Sequence, residues 1–160
     1  MTTKRSTGTV LGAATVAMGL IAGAFYVFAC AVMPGLARGD DEVYVEVMRN
    51  INDVIVNPVF LLSFLGALVL TGVAVWQGRG RPYRRWVWAG FLAYALAFLV
   101  TVAFNIPLND ALDHATDVRT AREEFEDPWV LWNAVRAVLS TVATGCLARG
   151  LVGYGRTARA

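Results

Sequence analysis

The chain has 160 residues, 57% of them hydrophobic and 16% charged, with a net charge of +2 and a mean hydropathy of +0.53. That is too apolar for an ordinary soluble domain and marks an integral membrane protein, while no basic cluster interleaved with aromatics supports nucleic-acid binding. At roughly 20 residues per span, the length allows one all-α membrane domain, 1–160, a bundle of four transmembrane helices with short loops.

Residues 1–8 are polar and carry Lys4 and Arg5, and Thr9 to Met33 is then free of charge. The run is long enough to span, and longer than the roughly 7–15-residue apolar core of a secretory signal, so the first span is read as 9–33. Val27-Phe28-Ala29-Cys30 faintly resembles a lipoprotein cleavage box, which the bulky Phe28 spoils. Gly19 and Gly23 form a small-xxx-small pair, expected to let another helix of the bundle approach closely. Pro34-Gly35 ends the span, and Asp40, Asp41 and Glu42 put negative charge where a helix N-terminus favours it. The segment that follows carries Glu46, Asn50, Asp53 and Asn57 at steps of four, three and four, a polar stripe at helical period. Pro58 kinks the helix or restarts it, and the uncharged Val59 to Trp76 completes a second span, 55–76.

Gly78, Gly80 and Pro82 punctuate a turn that carries Arg79, Arg81, Arg84 and Arg85. The third span, 86–105, opens on Trp86 and Trp88 as interfacial anchors. It ends in a second stripe, Thr101, Asn105 and Asn109, interrupted by Pro107. Residues 110–127 are acidic and can continue as helix to about Glu124. Asp127-Pro128 is expected to break the chain, with Pro128 as the first residue of a fourth span, 129–150. In that span Trp129, Asn133, Arg136 and Ser140 share one face, and Val130, Ala134, Ala137, Leu139 and Val142 are read as lying opposite. Arg136 lies about 10 Å beyond Trp129 along the axis, well inside the hydrocarbon. A guanidinium there must face the protein interior and find a partner. The tail from Leu151 is expected to fray. Cys30 and Cys146 fall at opposite ends of their spans, beyond the ~7 Å Cα reach of a disulfide, and read as small packing residues.

Lysine and arginine set the orientation. The amino terminus carries two, the 77–85 turn four, and the tail from Arg149 three, whereas 34–58 and 105–128 carry two each among five and seven acids. The positive-inside bias therefore places both termini in the cytoplasm and the loops at 34–58 and 105–128 outside.

The three polar stripes then sit at one level, toward the outer face. Structurally they amount to an ion pair of Arg136 with Asp53 or Glu46, plus asparagine hydrogen bonds between helices. Functionally they amount to an interior polar pocket for a ligand. His114, the one histidine, sits in an acidic loop and reads as a solvated surface group. One histidine cannot build a two-histidine, one-carboxylate iron site or a bis-histidine haem. No cofactor is predicted, although a carboxylate-bound metal near Glu46 and Asp53 is conceivable. No nucleotide loop, Ser-His-Asp set or Cys-x-x-Cys is present, and four spans without an inverted repeat argue against a secondary transporter.

FNIPLN at Phe104 to Asn109, WVLWNAVR at Trp129 to Arg136 and INDVIVNPVF at Ile51 to Phe60 together resemble the anthrone oxygenase-like family of small four-helix membrane proteins, over about residues 10–150. The resemblance implies oxidation of an apolar aromatic substrate, an anthrone, to an anthraquinone with molecular oxygen. Such chemistry needs a base and donors for a developing oxyanion. The candidate catalytic residues are Arg136, Asn105, Asn109 and Asn133 as donors, and Glu46 or Asp53 as base. Asn50, Asn57, Trp129 and Trp132 are the candidate substrate contacts. The competing expectation is a non-catalytic accessory or small-molecule-binding protein that uses the same cluster structurally.

Overall fold

A computed structural model describes the backbone of residues 2–159 and the side chains of residues 6–157. The side chains of Lys4, Arg5 and Arg159, part of the charge bias, lie outside the described residues. The elements are α1 (Thr2–Val27), a π-helical turn (Phe28–Val32), α2 (Met33–Leu36), α3 (Asp41–Ile55), α4 (Pro58–Gln77), α5 (Arg84–Val100), a second π-helical turn (Thr101–Asn105), α6 (Ile106–His114) and α7 (Val118–Arg159). No strand occurs among the described residues. Four helical stretches are long and apolar enough to cross a membrane, Ser6–Leu36, Pro58–Gln77, Arg84–His114 and Val118–Thr157, so the protein is a multi-pass helical bundle.

α7 packs against α1 and α5, and α4 closes the ring by packing on both of them. Gly90 of α5 is one of the close points of the contact with α7. A Cβ there would stand 3.1 Å from the Ala143 carbonyl oxygen and 3.1 Å from Leu147 Cδ2, so a larger residue would push α5 off α7. Gly19 and Gly23 do not play that part, since a Cβ at either would meet nothing within 4 Å. They lie on the periphery of α1, where no neighbour packs. The turn between α4 and α5 is made by Gly80 at φ 76°, a conformation glycine adopts without steric cost.

Beyond the bundle, α3, α6 and the first turns of α7 form a cap with its own core of Met33, Tyr44, Val45, Met48, Leu112, Ala121, Phe125 and Trp129. Asp40 caps α3 by accepting the Val43 N–H at 2.9 Å. Two arginines strap the cap down. Arg49 of α3 donates to the Leu112 carbonyl at 2.7 Å and the Ala115 carbonyl at 2.6 Å, satisfying orphan acceptors at the end of α6. Arg122 of α7 pairs with Asp41 at 2.9 Å and Glu126 at 2.7 Å, and lies 4.6 Å over the Tyr44 ring. Burial, and after it the charge of Glu126, push the Tyr44 hydroxyl above its ordinary range.

Three expectations about chain breaks are corrected. Pro128 lies inside α7 and does not start it. Ala121, Phe125 and Trp129 are buried at steps of four along the same helix, and this packing holds the helix through the one backbone bond that proline removes. The acidic segment instead breaks earlier, at 115–117, where α6 ends and Asp117 caps α7 through the Thr120 N–H at 2.7 Å. The tail is helical to Arg159 because Tyr154 packs edge-on to Tyr83, with ring centroids 5.8 Å apart. Pro34 and Pro107 are accommodated in the same way as each other. Each follows a five-residue π turn by one residue, and the intervening Met33 and Ile106 donate five residues back, to Phe28 and Thr101.

Candidate functional site

Where the π turns widen α1 and α5, the helices enclose a cavity of about 240 Å³. α3 roofs it with Ile51, Asn52 and Ile55; α1 contributes Phe25 and the π turn after it Phe28, and α4 contributes Phe60, Leu61 and Phe64. The second π turn, α6 and α7 supply most of its polar wall, Thr101, Asn109, Trp129, Asn133 and Arg136. The walls are otherwise apolar and rich in aromatic rings, the composition of a pocket for a small organic ligand.

Arg136 is 6% exposed. Its Nη2 donates to Asn133 Oδ1 at 3.0 Å, and its guanidinium carbon lies 4.3 Å from the Phe25 ring centroid and 5.4 Å from that of Trp129. Its Nε has no hydrogen-bond partner. The ion pair expected with Asp53 or Glu46 is not formed: among the described residues the salt bridges join only Arg119–Glu123, Arg122–Asp41 and Arg122–Glu126. Both carboxylates are exposed, because the stripe Glu46, Asn50, Asp53 is the solvent face of α3. Tyr44, Val45 and Met48 occupy its buried face. The charge of Arg136 therefore rests on two aromatic faces and one amide, and it borders a cavity with no carboxylate in its lining.

The asparagines divide into distinct environments. Asn133, 1% exposed, has both ends occupied, since its Nδ2 donates to the Phe25 carbonyl at 3.1 Å while its Oδ1 accepts from Arg136. It anchors the guanidinium to α1. Asn109 accepts the Trp129 indole N–H at 2.7 Å through Oδ1. An indole nitrogen only donates, so the amide is fixed with its NH2 free for the cavity that both residues line. Asn105 is 1% exposed inside the second π turn, outside the cavity lining, and neither amide atom has a partner.

Other expected site residues lie elsewhere. Asn57 is the N-cap of α4, its Oδ1 accepting from the Val59 and Phe60 N–H groups at 3.0 Å each, with Pro58 behind it in the first turn. Asn50 and Asn57 line a shallow outer groove and not the cavity. Trp132 turns away and stacks on Phe104 at 3.8 Å and 7°. His114 is exposed, its Nδ1 2.7 Å from the Asp110 carbonyl oxygen. Among the described residues no three His, Cys, Asp or Glu side chains gather as metal ligands, near Glu46 and Asp53 or elsewhere. The cysteines are free.

Asn52 is the lining residue that the stripes missed. Its signal was present: it is the polar exception on the face of α3 that carries Tyr44, Val45, Met48, Ile51 and Ile55. A polar side chain on an apolar face is more informative than a polar stripe opposite it.

Neither curated proteins nor solved structures give a match to the chain. A family model does, over residues 48–146, and that stretch contains all of α4, α5 and α6 and the cavity residues Asn52, Asn109, Trp129, Asn133 and Arg136. On that match the chain belongs to the anthrone oxygenase family.

Proposed function

We propose that this protein is a membrane oxygenase that binds an anthrone-like aromatic ketone in the cavity and promotes its oxidation by molecular oxygen. One observation carries the reading: Arg136 is a buried cation without a carboxylate partner, facing an apolar, ring-lined cavity. Such a group is complementary to an organic anion whose charge is spread over a flat ring system. An anthrone becomes that anion when its methylene loses a proton and the negative charge moves to the carbonyl oxygen. The anion passes electrons to oxygen, a C–O bond forms at the former methylene, and the O–O bond breaks as that carbon's second C–H bond releases its proton. One oxygen atom remains as the new carbonyl and the other leaves as water. In this scheme Arg136 and the Asn109 NH2 stabilise the oxyanion, Asn133 positions Arg136, and the proton passes to water, since no carboxylate lines the cavity. Glu46 and Asp53 have no part in it. The arginine bias of the loops supports a cell-membrane location, with both termini and the Gly78–Pro82 turn cytoplasmic and the cavity toward the outer face.

A non-catalytic binder of the same anion is the second reading, favoured by the absence of a general base from the lining. Oxygen uptake separates the two. Purified protein in lipid vesicles should accelerate oxygen consumption by an anthrone and yield the anthraquinone in equal amount. A folded protein that binds the anthrone tightly without accelerating uptake would establish the binder instead.

A further inference from the structure

The roof of the cavity and its exposed lining residues present different surfaces. Of the residues that line it, just two are exposed, Val56 at 67% and Ile106 at 44%. Val56 ends α3 at the joint with α4, and Ile106 follows the second π turn. The surface beside them is apolar on both sides: Val59 is 77% and Leu62 76% exposed on α4, and Val102 is 48% and Phe104 39% exposed on the π turn. The nearest charged side chains, Asp53 on α3 and Asp110 on α6, lie at least three residues away along the chain, in the cap. The roof, by contrast, turns Glu46, Asn50 and Asp53 outward. An opening rimmed by valines, leucine, isoleucine and phenylalanine would be a costly hydrophobic patch in water and is the ordinary surface of a spanning helix in lipid.

We propose that the cavity opens sideways into the bilayer, between the α3–α4 joint and the second π turn, with Val56 and Ile106 as the rim through which an apolar aromatic substrate enters from the membrane. Inside the rim two lining rings form a floor: Phe60 stacks on Phe64 at 5.7 Å and 13°, and Phe98, behind the lining, backs Phe64 at 5.2 Å and 25°. A flat molecule sliding over that floor meets Arg136 on the far wall. The route deepens the oxygenase reading and rests on it for the identity of the substrate, but the position of the mouth rests on the lining and its exposure and is tested separately.

Nitroxide labels at Val56→Cys and Ile106→Cys, in a Cys30→Ser, Cys146→Ser background in vesicles, test the mouth without any substrate. Collision with oxygen, which dissolves in hydrocarbon, is compared with collision with a polar nickel chelate. The references are Leu96→Cys, 51% exposed in the middle of α5, and Asp113→Cys on the exposed cap. Both rim sites should give an oxygen-to-nickel ratio near that of Leu96 and about an order of magnitude above that of Asp113, because hydrocarbon excludes the polar chelate. A ratio matching Asp113 at both rim sites overturns the proposal. In the oxygen-uptake assay, rate should follow the mole fraction of anthrone in the lipid, and Ile106→Trp should raise KM about tenfold with kcat within about twofold. A rate that follows total concentration, whatever the amount of lipid, also overturns it. If the wild type consumes no oxygen, the oxygenase reading fails while the collision ratios still decide where the cavity opens.

Discussion

Toward the Gly78–Pro82 turn the bundle is closed by small residues and rings: Gly90 lies against Ala143 and Leu147, and Tyr83 against Tyr154. Toward the cap the same helices carry two π turns, a proline inside α7 and a cavity. The first half buries Leu11, Val87, Ala143 and Leu147 almost completely. The second buries Asn105, Asn133 and Arg136 and leaves polar atoms of Asn105 and Arg136 unpartnered. In lipid, unpartnered polar atoms raise the free energy, and close packing is what holds helices together. The turn half leaves Gln77 Oε1 and Arg84 Nε unpartnered as well, so what sets the cap half apart is that its unpartnered Arg136 borders the cavity, which is where a ligand can be stabilised.

The sharpest break of that contrast is at Arg136. Arg136→Met should lower anthrone-dependent oxygen uptake about a hundredfold, the usual loss of an oxyanion donor. It should leave thermal unfolding in detergent unchanged or delayed, because it removes a buried charge that has no ionic partner. Unfolding as early as a core truncation would make Arg136 part of the scaffold. The opposite result is expected at Leu147. Leu147→Ala should destabilise by about 2–4 kcal/mol through the cavity it leaves, with ligand affinity intact in the protein that remains folded. A loss of affinity equal to the loss of stability would erase the division into halves.

The smallest effect probes the cap. The Thr120 N–H, donating to Asp117, holds that exposed carboxyl below its ordinary pKa of 3.8. At neutral pH the carboxylate is ionised in both states and the cap is at full strength. As pH falls through 3.8 the unfolded chain binds its proton first, and stability is lost down to the lowered native pKa. The gap in melting temperature between the wild type and Asp117→Ala should therefore narrow below about pH 4. A gap that widens on acidification would contradict the cap.

The four apolar spans were legible because hydropathy over 20 residues is insensitive to tertiary detail. The burial of Arg136 and Asn133 was legible because lipid leaves polar residues few places to face. What failed were inferences drawn from one helix at a time. The period of Glu46, Asn50 and Asp53 was real, but the same pattern describes the wet face of a cap helix as well as a pocket wall. Only the neighbours of α3 decide between them. Pro128 read as a break because its local cost is visible in the sequence, while the packing of Phe125 and Trp129 that outweighs it is not. The π turns were invisible for a similar reason: Pro107 announces a lost bond and does not say whether the helix will stop or widen.

A widened turn of this kind also changes the angular bookkeeping of everything beyond it. At 3.6 residues per turn, one additional residue in a turn rotates the rest of the helix by about 100°. Thr101, the first residue of the widened turn, and Asn109, beyond it, both line the cavity, and Phe28 does so from the matching turn after α1. On an unbroken α-helix the eight-residue spacing of Thr101 and Asn109 would set the two about 80° apart, and the widened turn draws them closer to one face. Asn109 reaches the Trp129 indole through a phase shift, so the geometry of this site is set by where each helix is out of step as much as by which residues it carries.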